Sequence, residues 1–420
     1  MSDRHAAVLA GLPQVRSWQE PLYRDLHQHP ELSFQEHRTA KVVSDKLTEL
    51  GYEVTANIGG TGVVGILRNG DGAGVLMRAD MDALPVAEAT GFDYASTERG
   101  TDAAGTDVPV MHACGHDTHV TCLLGAAALL AGAKAHWQGT AIMLFQPAEE
   151  LGGGAAGMVR DGLAEMLGTA VGKVDVALAQ HVGPGPAGMV GTCTGPVLAA
   201  ADSIRVTVYG QGGHGSMPQA TIDPVVLAAM IVVRLQTVVS REVAPGDAVV
   251  LTVGSIHSGT KSNIIGDRAV LELNLRTYDE AVRAGVIAAI KRIVVAECQA
   301  SNSPKEPEFE FYDQFPVTVN DQDVTARARA AFDGYFGDRV MTIPPASASE
   351  DFSDIPKALG VPYTYWMFGG IEAERFARAA EAGRVAQDIP VNHSPAFGPV
   401  IQPTLDTGTE ALVVAALAWL

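Results

Sequence analysis

The chain has 420 residues, 47% of them hydrophobic and 18% charged, with a formal net charge of −19. This length predicts two domains, since one hydrophobic core rarely serves so long a chain. No uninterrupted apolar run reaches the roughly 18 residues of a membrane-spanning helix, and an acidic balance disfavours nucleic-acid binding, which favours a basic surface. Composition therefore predicts a globular protein that binds neither membrane nor nucleic acid.

The N-terminus and the cysteines predict a cytoplasmic location. The opening M-S-D-R-H shows no basic region followed by an apolar stretch and a small-residue cleavage site, as a secretory signal would. The four cysteines lack the spacing of a disulfide scaffold, which is typical of free thiols or metal ligands. They are Cys114, Cys122, Cys193 and Cys298.

The first 200 residues predict an α/β layer. Residues 17–50 have the apolar spacing of two helices separated by a break at Pro30. Three apolar runs flanked by glycines are typical of buried parallel strands, at residues 75–77, 140–145 and 174–179. The Ala- and Leu-rich residues 118–131 predict a packed crossover helix between strands. Polar residues follow these strands, where ligands bind in open α/β sheets.

From about Ser203 the pattern changes to a βαββαβ order. The predicted strands are residues 204–209, 248–256, 269–277 and 308–312, and the predicted helices are residues 224–240 and 280–297. This order matches a split, ferredoxin-like unit. We therefore predict an inserted domain over residues 201–317, with residues 1–200 and 318–420 forming one catalytic domain.

The strongest local signal is M-H-A-C-G-H-D-T-H, residues 111–119. Imidazole and thiolate suit borderline metals such as zinc, and a thiolate can bridge two ions. Cys114 and His116 lie two residues apart, so an extended loop would place both side chains on one side, and Gly115 favours such a loop. Two alternatives remain open: the pair caps the helix that begins near Thr118, or Cys114 is a nucleophile with a histidine base.

Three distant segments carry further ligand types. In Q-P-A-E-E, residues 146–150, one glutamate can bind metal while its neighbour takes a proton from a metal-bound water, although two adjacent carboxylates also suit a surface turn. These are Glu149 and Glu150. His181 follows a predicted strand and His393 precedes Ser394. Each histidine alone is more often a structural residue than a ligand.

Other polar residues predict supporting roles. Asp80 and Asp82 end a predicted buried strand and could orient ligand imidazoles, although a strand-ending turn would look similar. His214 lies in a glycine-rich loop unsuited to core packing. The net charge repels an anionic substrate at long range, so a carboxylate-bearing substrate needs a local anchor, for which Asn263 and Arg276 are candidates. A solvated arginine is the commoner case.

Taken together, these segments resemble the aminoacylase, hippurate hydrolase and auxin-conjugate hydrolase branch of the di-metal carboxypeptidase family. The matching motifs occur in the same order and extend over nearly the whole chain. Residues 290–300 are also similar to bacterial N-acyl-glutamine aminoacylases. The matching segments include L-H-Q-H-P-E-L-S-F-Q-E (26–36), R-A-D-M-D-A-L-P (78–85), the Cys114, Glu149 and His181 motifs, G-G-H-G, T-V-G-S-I, S-E-D-F and N-H-S.

The resemblance implies a zinc-exopeptidase-like α/β fold, with a mixed, mainly parallel sheet flanked by helices, and hydrolysis of the amide bond of small N-acyl amino acids. It implies two divalent ions per subunit (Mn, Zn, Co or Ni) that Cys114 bridges, with His116, Glu150, His181 and His393 as the other ligands. Glu149 would be the base, and Asp80 would support a ligand.

For the inserted domain, the resemblance implies a lid that forms a homodimer or a dimer-based oligomer. His214 would stabilise the oxyanion in the partner's site and Asn263 would hold the substrate carboxylate. Ala348 and Gly266 depart from the residues that relatives often carry there, which leaves the shape of nearby loops open. Two other readings remain: a dipeptidase or carboxypeptidase with the same chemistry, and a non-catalytic metal or amino-acid binding protein.

Overall fold

The computed structural model describes residues 3–420. Its strands are β1 (Glu53–Ile58), β2 (Gly62–Asn69), β3 (Gly74–Asp80), β4 (Arg99–Thr101), β5 (Asp107–Pro109), β6 (Gly139–Gln146), β7 (Val176–Pro186), β8 (Val190–Thr192), β9 (Gly195–Leu198), β10 (Ala200–Tyr209), β11 (Gly213–His214), β12 (Val249–Ser258), β13 (Ile264–Ile265), β14 (Arg268–Thr277), β15 (Glu308–Phe315), β16 (Thr318–Asn320), β17 (Val340–Thr342) and β18 (Tyr363–Ile371).

The α-helices are α1 (Asp3–Leu9), α2 (Leu12–Gln28), α3 (His37–Glu49), α4 (His116–Gly132), α5 (Gly154–Arg160), α6 (Leu163–Ala170), α7 (Pro224–Thr237), α8 (Glu280–Ala300), α9 (Gln322–Phe336), α10 (Asp354–Leu359), α11 (Ala373–Glu381), α12 (Val385–Asp388) and α13 (Ile401–Ala416). The chain divides into two compact units.

The first unit comprises residues 1–197, 319–344 and 351–420. Its sheet has the strand order β1-β2-β6-β3-β7-β18-β8-β17. The central strands β6, β3, β7 and β18 pair in parallel, while β1, β2 and the β18–β8 pair are antiparallel. This confirms the predicted mixed, mainly parallel sheet, and the buried strands β3 and β6 contain the predicted apolar runs.

Helix α4 is the crossover helix predicted at residues 118–131. It is buried along almost its whole length because it packs against β3 and against α2 and α13. A helix that is apolar on all sides is expected only in such a covered position. Two further helices, α2 and α3, flank Pro30 as predicted.

The second unit comprises residues 198–318 and 345–350. Its antiparallel sheet has the order β12-β14-β10-β15, and α7 and α8 pack on it around a core of aliphatic side chains. The chain order β10-α7-β12-β14-α8-β15 is the predicted βαββαβ pattern. Strand β12 alternates half-buried and exposed residues, and it lies at an edge of this sheet.

The boundaries differ from the predicted ones at residues 345–350, which we placed in the catalytic domain. This segment returns to the second unit, because Ala346 forms a bridge with Leu198 and Ala348 accepts the backbone N–H of Ala199. This pairing joins residues that are far apart in sequence. The hydrophobic pattern of residues 345–350 alone therefore does not predict it.

Helix α7 and the single π-turn that follows it, together Pro224–Glu242, are long and apolar enough to cross a membrane by length and composition alone, with 33% of that stretch buried. One face of the helix packs in the core of the second unit through Leu227, Ile231 and Leu235. The opposite face exposes Val226 and Val233. The apolar residues of this helix therefore form two faces, one packed in the core of the second unit and one exposed.

Candidate metal centre

The predicted ligands come from four separate segments of the first unit. Cys114 and His116 lie at the start of α4, and Glu150 follows β6. His393 lies in the loop between α12 and α13. His181 was expected to follow its strand but lies inside β7, where it pairs with Met367 of β18. The strand continues because β18 supplies a parallel partner for the extra residues.

The turn at Gly115 sets the Cys114–His116 pair. Gly115 has φ +82° and is the N-cap of α4, with no side-chain cap hydrogen bond. A Cβ at this position would lie 2.5 Å from Val182 Cγ1, so the turn requires glycine. The Cys114 and His116 side chains instead contact His181 Nε2 and the carbonyl oxygen of Asp82, which argues against the alternative that they merely cap the helix.

A second tight turn carries Glu149 and Glu150. Ala148 has φ +46°, a left-handed conformation that is strained for a residue with a Cβ. The N–H groups of Glu149 and Glu150 each donate to the carboxylate of Asp82, with N–O distances of 3.1 Å. Both glutamate side chains are nearly buried, so the surface-turn alternative is also wrong.

Five side chains converge around one space. The Sγ of Cys114 lies 3.4 Å from His181 Nε2. His116 Nε2 lies 3.7 Å from Glu150 Oε1, and His393 Nε2 lies 3.3 Å from Glu150 Oε2. The two oxygens of Glu150 thus face different histidines. The structure brings together all five residues that the sequence nominated as ligands.

The unused atoms of these side chains fit metal binding. His116 Nδ1 lies 2.8 Å from the carbonyl oxygen of Asp82 and His181 Nδ1 lies 2.7 Å from that of Val182, so each Nδ1 donates a proton and leaves an Nε2 lone pair facing the cluster. His116 Nε2 and Glu150 Oε1 are buried without a hydrogen-bond partner among the described residues. Buried polar atoms are rarely left so, and a cation would satisfy both.

The electrostatics are those of a site built for cations. Burial lowers the pKa of His116, but Asp80, Asp82 and Glu150 outweigh burial and raise it to about 10. Burial, with the nearby Glu150 and Glu149, raises the pKa of Cys114 well above its usual value. This surplus of negative charge holds protons on both ligands until a divalent ion replaces them.

Asp80 has a different contact from the one expected. Its Oδ1 lies 2.5 Å from His119 Nδ1, and its Oδ2 accepts from Arg78 at 2.7 Å. His119 Nε2 accepts the backbone N–H of Val182 at 2.8 Å. Asp80, His116, His119 and His181 all offer ligand atoms within 4.8 Å of one another, but both nitrogens of His119 are occupied. We therefore assign His119 to support of the site.

His119 is a supporting residue to which the sequence pattern assigned no role, whereas Asp82 is predicted, like Asp80, to orient a ligand imidazole. Asp82 Oδ1 lies 3.3 Å from His116 Nδ1 in addition to holding the Glu149–Glu150 turn. For His119 the available signal was its position one helical turn after His116 in α4. Its contacts with Asp80 and Val182 are distant in sequence, so no local pattern indicates them.

The residues predicted in the inserted domain separate into two places within the second unit. His214 in β11 pairs with Ile264 in β13. Asn263 is the residue before Ile264, so His214 and Asn263 are close to each other. Arg276 lies near the other end of β14, eight residues from Arg268 and hence about 27 Å along the strand. The sheet therefore does not bring Arg276 together with His214 and Asn263.

His214 and Arg276 differ in exposure and in their hydrogen-bond partners. Ser216 N–H donates to His214 Nδ1 at 3.1 Å, and His214 is exposed. Arg276 is half-buried and donates to Asn274 Oδ1 and Ser349 Oγ, which are both uncharged. Burial lowers the pKa of Arg276. A half-buried guanidinium with neutral partners is suited to an incoming carboxylate.

A parallel α/β sheet with carboxylate, imidazole and thiolate donors near its strand ends is typical of a dinuclear metal-dependent hydrolase. The model of peptidase family M20/M25/M40 matches residues 76–386. The chain therefore belongs to this family, as its sequence motifs predicted.

Named relatives agree with this assignment. The chain is 37% identical to thermostable carboxypeptidase 1 of Saccharolobus solfataricus, over 85% of this chain and 86% of the relative. It is 37% identical to the hippurate hydrolase of Campylobacter jejuni, over 81% and 86%. A solved Bacillus subtilis structure described as a dinuclear metal-binding peptidase of the M20 family superposes with a TM-score of 0.76 at 27% identity, covering 96% of this chain and 98% of that one. Two divalent metal ions are accordingly the cofactors of this enzyme.

Proposed function

We propose that the enzyme hydrolyses the amide bond of N-acyl amino acids to a carboxylic acid and a free amino acid. The observation that carries this proposal is the pair of adjacent glutamates on one strained turn. Glu150 faces the histidines, while Glu149 is buried with its Oε2 3.9 Å from His116 Nε2. This geometry supports a metal-binding role for Glu150 and a proton-moving role for Glu149.

We assign the metal-holding role to Cys114, His116, Glu150, His181 and His393. When bound, the two ions supply a polarised water and a Lewis acid for the amide carbonyl. The mixed thiolate, imidazole and carboxylate set suits Mn, Zn, Co or Ni, and which of these is physiological depends on geometry and availability more than on raw affinity. Asp82 fixes the tautomer of His116, and Asp80 and Arg78 lie behind them.

Glu149 acts as the base. Its carboxylate takes a proton from the attacking water, whose oxygen adds to the acyl carbon. The carbon–nitrogen bond then breaks, and Glu149 delivers the proton to the leaving amine nitrogen, which departs as the free amino acid. Asp82 accepts the backbone N–H of Glu149 and so fixes the turn that carries this carboxylate.

Substrate recognition rests on the second unit. We assign Asn263 and Arg276 to the substrate carboxylate, which the net charge of −19 would otherwise repel. His214 donates a hydrogen bond to the oxyanion that develops on the amide carbonyl. His214 and Asn263 lie outside β14, whereas Arg276 lies near the end of that strand, about 27 Å from Arg268. We propose that the two groups serve different copies of the chain.

We propose a homodimer that forms through an exposed apolar surface of the second unit. Val226, Met230 and Val233 lie on one face of α7 and are 49–66% exposed, at the i, i+4, i+7 spacing of a packing face. Helix α7 contacts the edge strand β12, which exposes Val250 and Ile256. A free strand edge beside an apolar face is aggregation-prone unless covered. A second copy, related by a two-fold axis, would cover both.

Carboxypeptidase activity is the second candidate, because the similarity to thermostable carboxypeptidase 1 is as extensive as that to hippurate hydrolase. The two activities share one mechanism and differ in what occupies the acyl side of the bond. A non-catalytic binding protein is disfavoured, since metal binding alone would not require Glu149 beside the ligands.

A substrate panel tests the proposal. Metal-stripped enzyme is assayed with hippurate, N-acetyl amino acids, N-acyl-glutamine and dipeptides, with and without added Mn, Zn, Co or Ni. We expect metal-dependent release of free amino acid, fastest from an N-acyl amino acid. Faster cleavage of dipeptides would favour the carboxypeptidase, and no turnover with any metal would overturn the enzyme assignment.

A further inference from the structure

Glu36 is a buried carboxylate that the metal chemistry does not use. It is 0% exposed and lies at the N-cap of α3, far in sequence from the ligand segments. Its Oε1 accepts the N–H of Phe34 and the N–H of Ala148, both at 2.9 Å. Its Oε2 accepts the hydroxyl of Thr61 at 2.5 Å. One oxygen atom therefore joins two separate backbone turns.

Both turns are strained at the residue that Glu36 contacts. Phe34 has φ +63° and Ala148 has φ +46°, and neither residue is glycine. A residue with a Cβ keeps a left-handed conformation only where contacts from the surrounding structure hold it there. The hydrogen bonds to Glu36 supply that constraint at the first residue before the Glu149–Glu150 pair.

Two carboxylates together hold the whole catalytic turn. Three successive backbone N–H groups donate to carboxylates. The N–H of Ala148 donates to Glu36, and the N–H groups of Glu149 and Glu150 donate to Asp82. Ser33, three residues before Glu36, donates its hydroxyl to Asp82 at 2.6 Å. The segment 33–36 is thus joined to the turn through both carboxylates.

We propose that Glu36 is a positioning residue for Glu149, acting as a hydrogen-bond acceptor that holds Ala148 in its left-handed conformation. This inference rests on the proposed amidohydrolase function, because Glu149 is the base in that reaction. A loop shift of about 1 Å at a catalytic group can cost 100-fold in rate. The effect falls on kcat, since Glu36 lies behind the turn and contacts its backbone.

The acceptor role does not require a charge. Burial and the nearby Asp82 raise the pKa of Glu36 to about 7. In the protonated form the hydrogen belongs on Oε2, facing the Thr61 hydroxyl, while Oε1 still accepts both N–H groups. A glutamine reproduces this arrangement, whereas a methionine of similar length has no oxygen to accept them.

The test compares Glu36→Gln with Glu36→Met on folded, metal-loaded enzyme, using the best substrate of the panel. We expect Glu36→Gln to stay close to wild type and Glu36→Met to lose about 100-fold in kcat with KM nearly unchanged. Adding Ala148→Gly to Glu36→Met should recover about tenfold, because glycine adopts the left-handed conformation without help. A merely structural role would lower stability without this recovery.

Thr61→Val is the matched control, since it removes the Oε2 contact and leaves both N–H contacts in place; we expect it to change stability more than kcat. If Glu36→Met does not fold, Glu36→Asp replaces it, as its shorter side chain cannot reach both turns. The proposal is overturned if the Met or Asp variant keeps wild-type kcat, or if Ala148→Gly restores nothing.

Cobalt-loaded protein separates this proposal from the proposed function. A displaced Glu150 alters the visible absorption of bound Co(II), so Glu36→Met should differ from wild type and Glu36→Gln should match it. If wild-type enzyme hydrolyses nothing in the panel but the cobalt spectra follow this pattern, the function fails and the positioning role of Glu36 stands. Identical spectra for all three proteins contradict the positioning role.

Discussion

His27 and Asp117 form a buried ion pair, with His27 Nδ1 2.7 Å from Asp117 Oδ2, and Asp117 directly follows the metal-facing His116. His27 Nε2 also lies 3.0 Å from Glu88 Oε1. Helix α2 is therefore tied to the first turn of α4 by one imidazole between two carboxylates. This contact links the N-terminal part of the chain to the metal centre.

The pair predicts a pH-dependent stability. Burial lowers the pKa of His27, but Asp117 and Glu88 outweigh burial and raise it to about 9. A raised histidine pKa contributes stability that is fully present below the unfolded value near 6.5 and is lost as pH rises through about 9. We expect His27→Gln to cost about 3 kcal/mol at pH 6, and distinctly less at pH 9.5.

Urea unfolding of wild type and variant at both pH values measures this difference. His29→Gln is the control, because His29 belongs to the same motif but is 42% exposed in its side chain, and we expect it to have little effect. An unchanged cost of His27→Gln between pH 6 and 9.5 would show that the imidazole is not charged in the folded protein.

Replacement of Glu149 should separate catalysis from metal binding. We expect Glu149→Gln to lower kcat by about 1,000-fold while the protein retains its two metal ions, because Glu149 moves a proton and Glu150 faces the ligands. Cys114→Ala should lose metal as well as activity. Elemental analysis of both purified variants, beside their rates, checks this. Full activity in Glu149→Gln would remove the proposed base.

Asp82 should control metal affinity from behind the site. Asp82→Ala removes the carboxylate that lies 3.3 Å from His116 Nδ1 and accepts both glutamate N–H groups, while the backbone carbonyl at position 82 still accepts from the His116 ring. We expect metal to bind about 10- to 100-fold more weakly. Competition with a chromophoric chelator measures the affinity. Ser33→Ala removes only one hydroxyl contact to Asp82 and should have a much smaller effect. Equal affinities for Asp82→Ala and wild type would contradict the supporting role.

Complementation tests whether two copies share a site. His214→Ala and Glu149→Ala protomers are each expected to be nearly inactive. Mixed and allowed to exchange, they should recover about a quarter of wild-type activity, because half of the dimers are mixed and each mixed dimer has one intact site. A mixture that exchanges subunits, shown by mass labelling, yet stays inactive would argue against catalysis across the interface.

The apolar face of α7 should hold the dimer together. Val233 is 66% exposed in the single chain, so Val233→Glu should leave the fold intact while a charge at the interface dissociates the dimer. Light scattering coupled to size exclusion measures the mass. Met341→Glu, at an exposed apolar residue of the first unit, is the control. A Val233→Glu dimer of unchanged affinity would place the interface elsewhere.

Much of the fold could be predicted because its signals are local. Alternating apolar residues in β14 indicate a strand buried on one face, and the continuous apolar run in α4 indicates a helix buried on all sides. The structure also brings the five predicted ligands together, partly because Gly115 sets the turn between Cys114 and His116. Their role as ligands stays a prediction. The cytoplasmic location and the likeness to N-acyl-glutamine aminoacylases stay predictions.

The missing parts depend on contacts between distant residues. Nothing near Glu36 in sequence indicates that it accepts the N–H of Ala148, and nothing near Ala148 indicates a left-handed backbone. The extension of β7 through His181 depends on pairing with β18. The return of residues 345–350 to the second unit likewise depends on Leu198 and Ala199. Such pairings follow from the assembled fold rather than from composition or period.

The position of His393 in the chain has a consequence for biosynthesis. A ribosome completes the second-unit segment Leu198–Thr318, with its own hydrophobic core, before it reaches the last metal-facing histidine. Domains generally fold as units during synthesis, so the inserted unit can fold while the first unit still lacks β18, α13 and His393. Binding of both ions by the full ligand set therefore comes after translation of His393, when the second unit can already be folded.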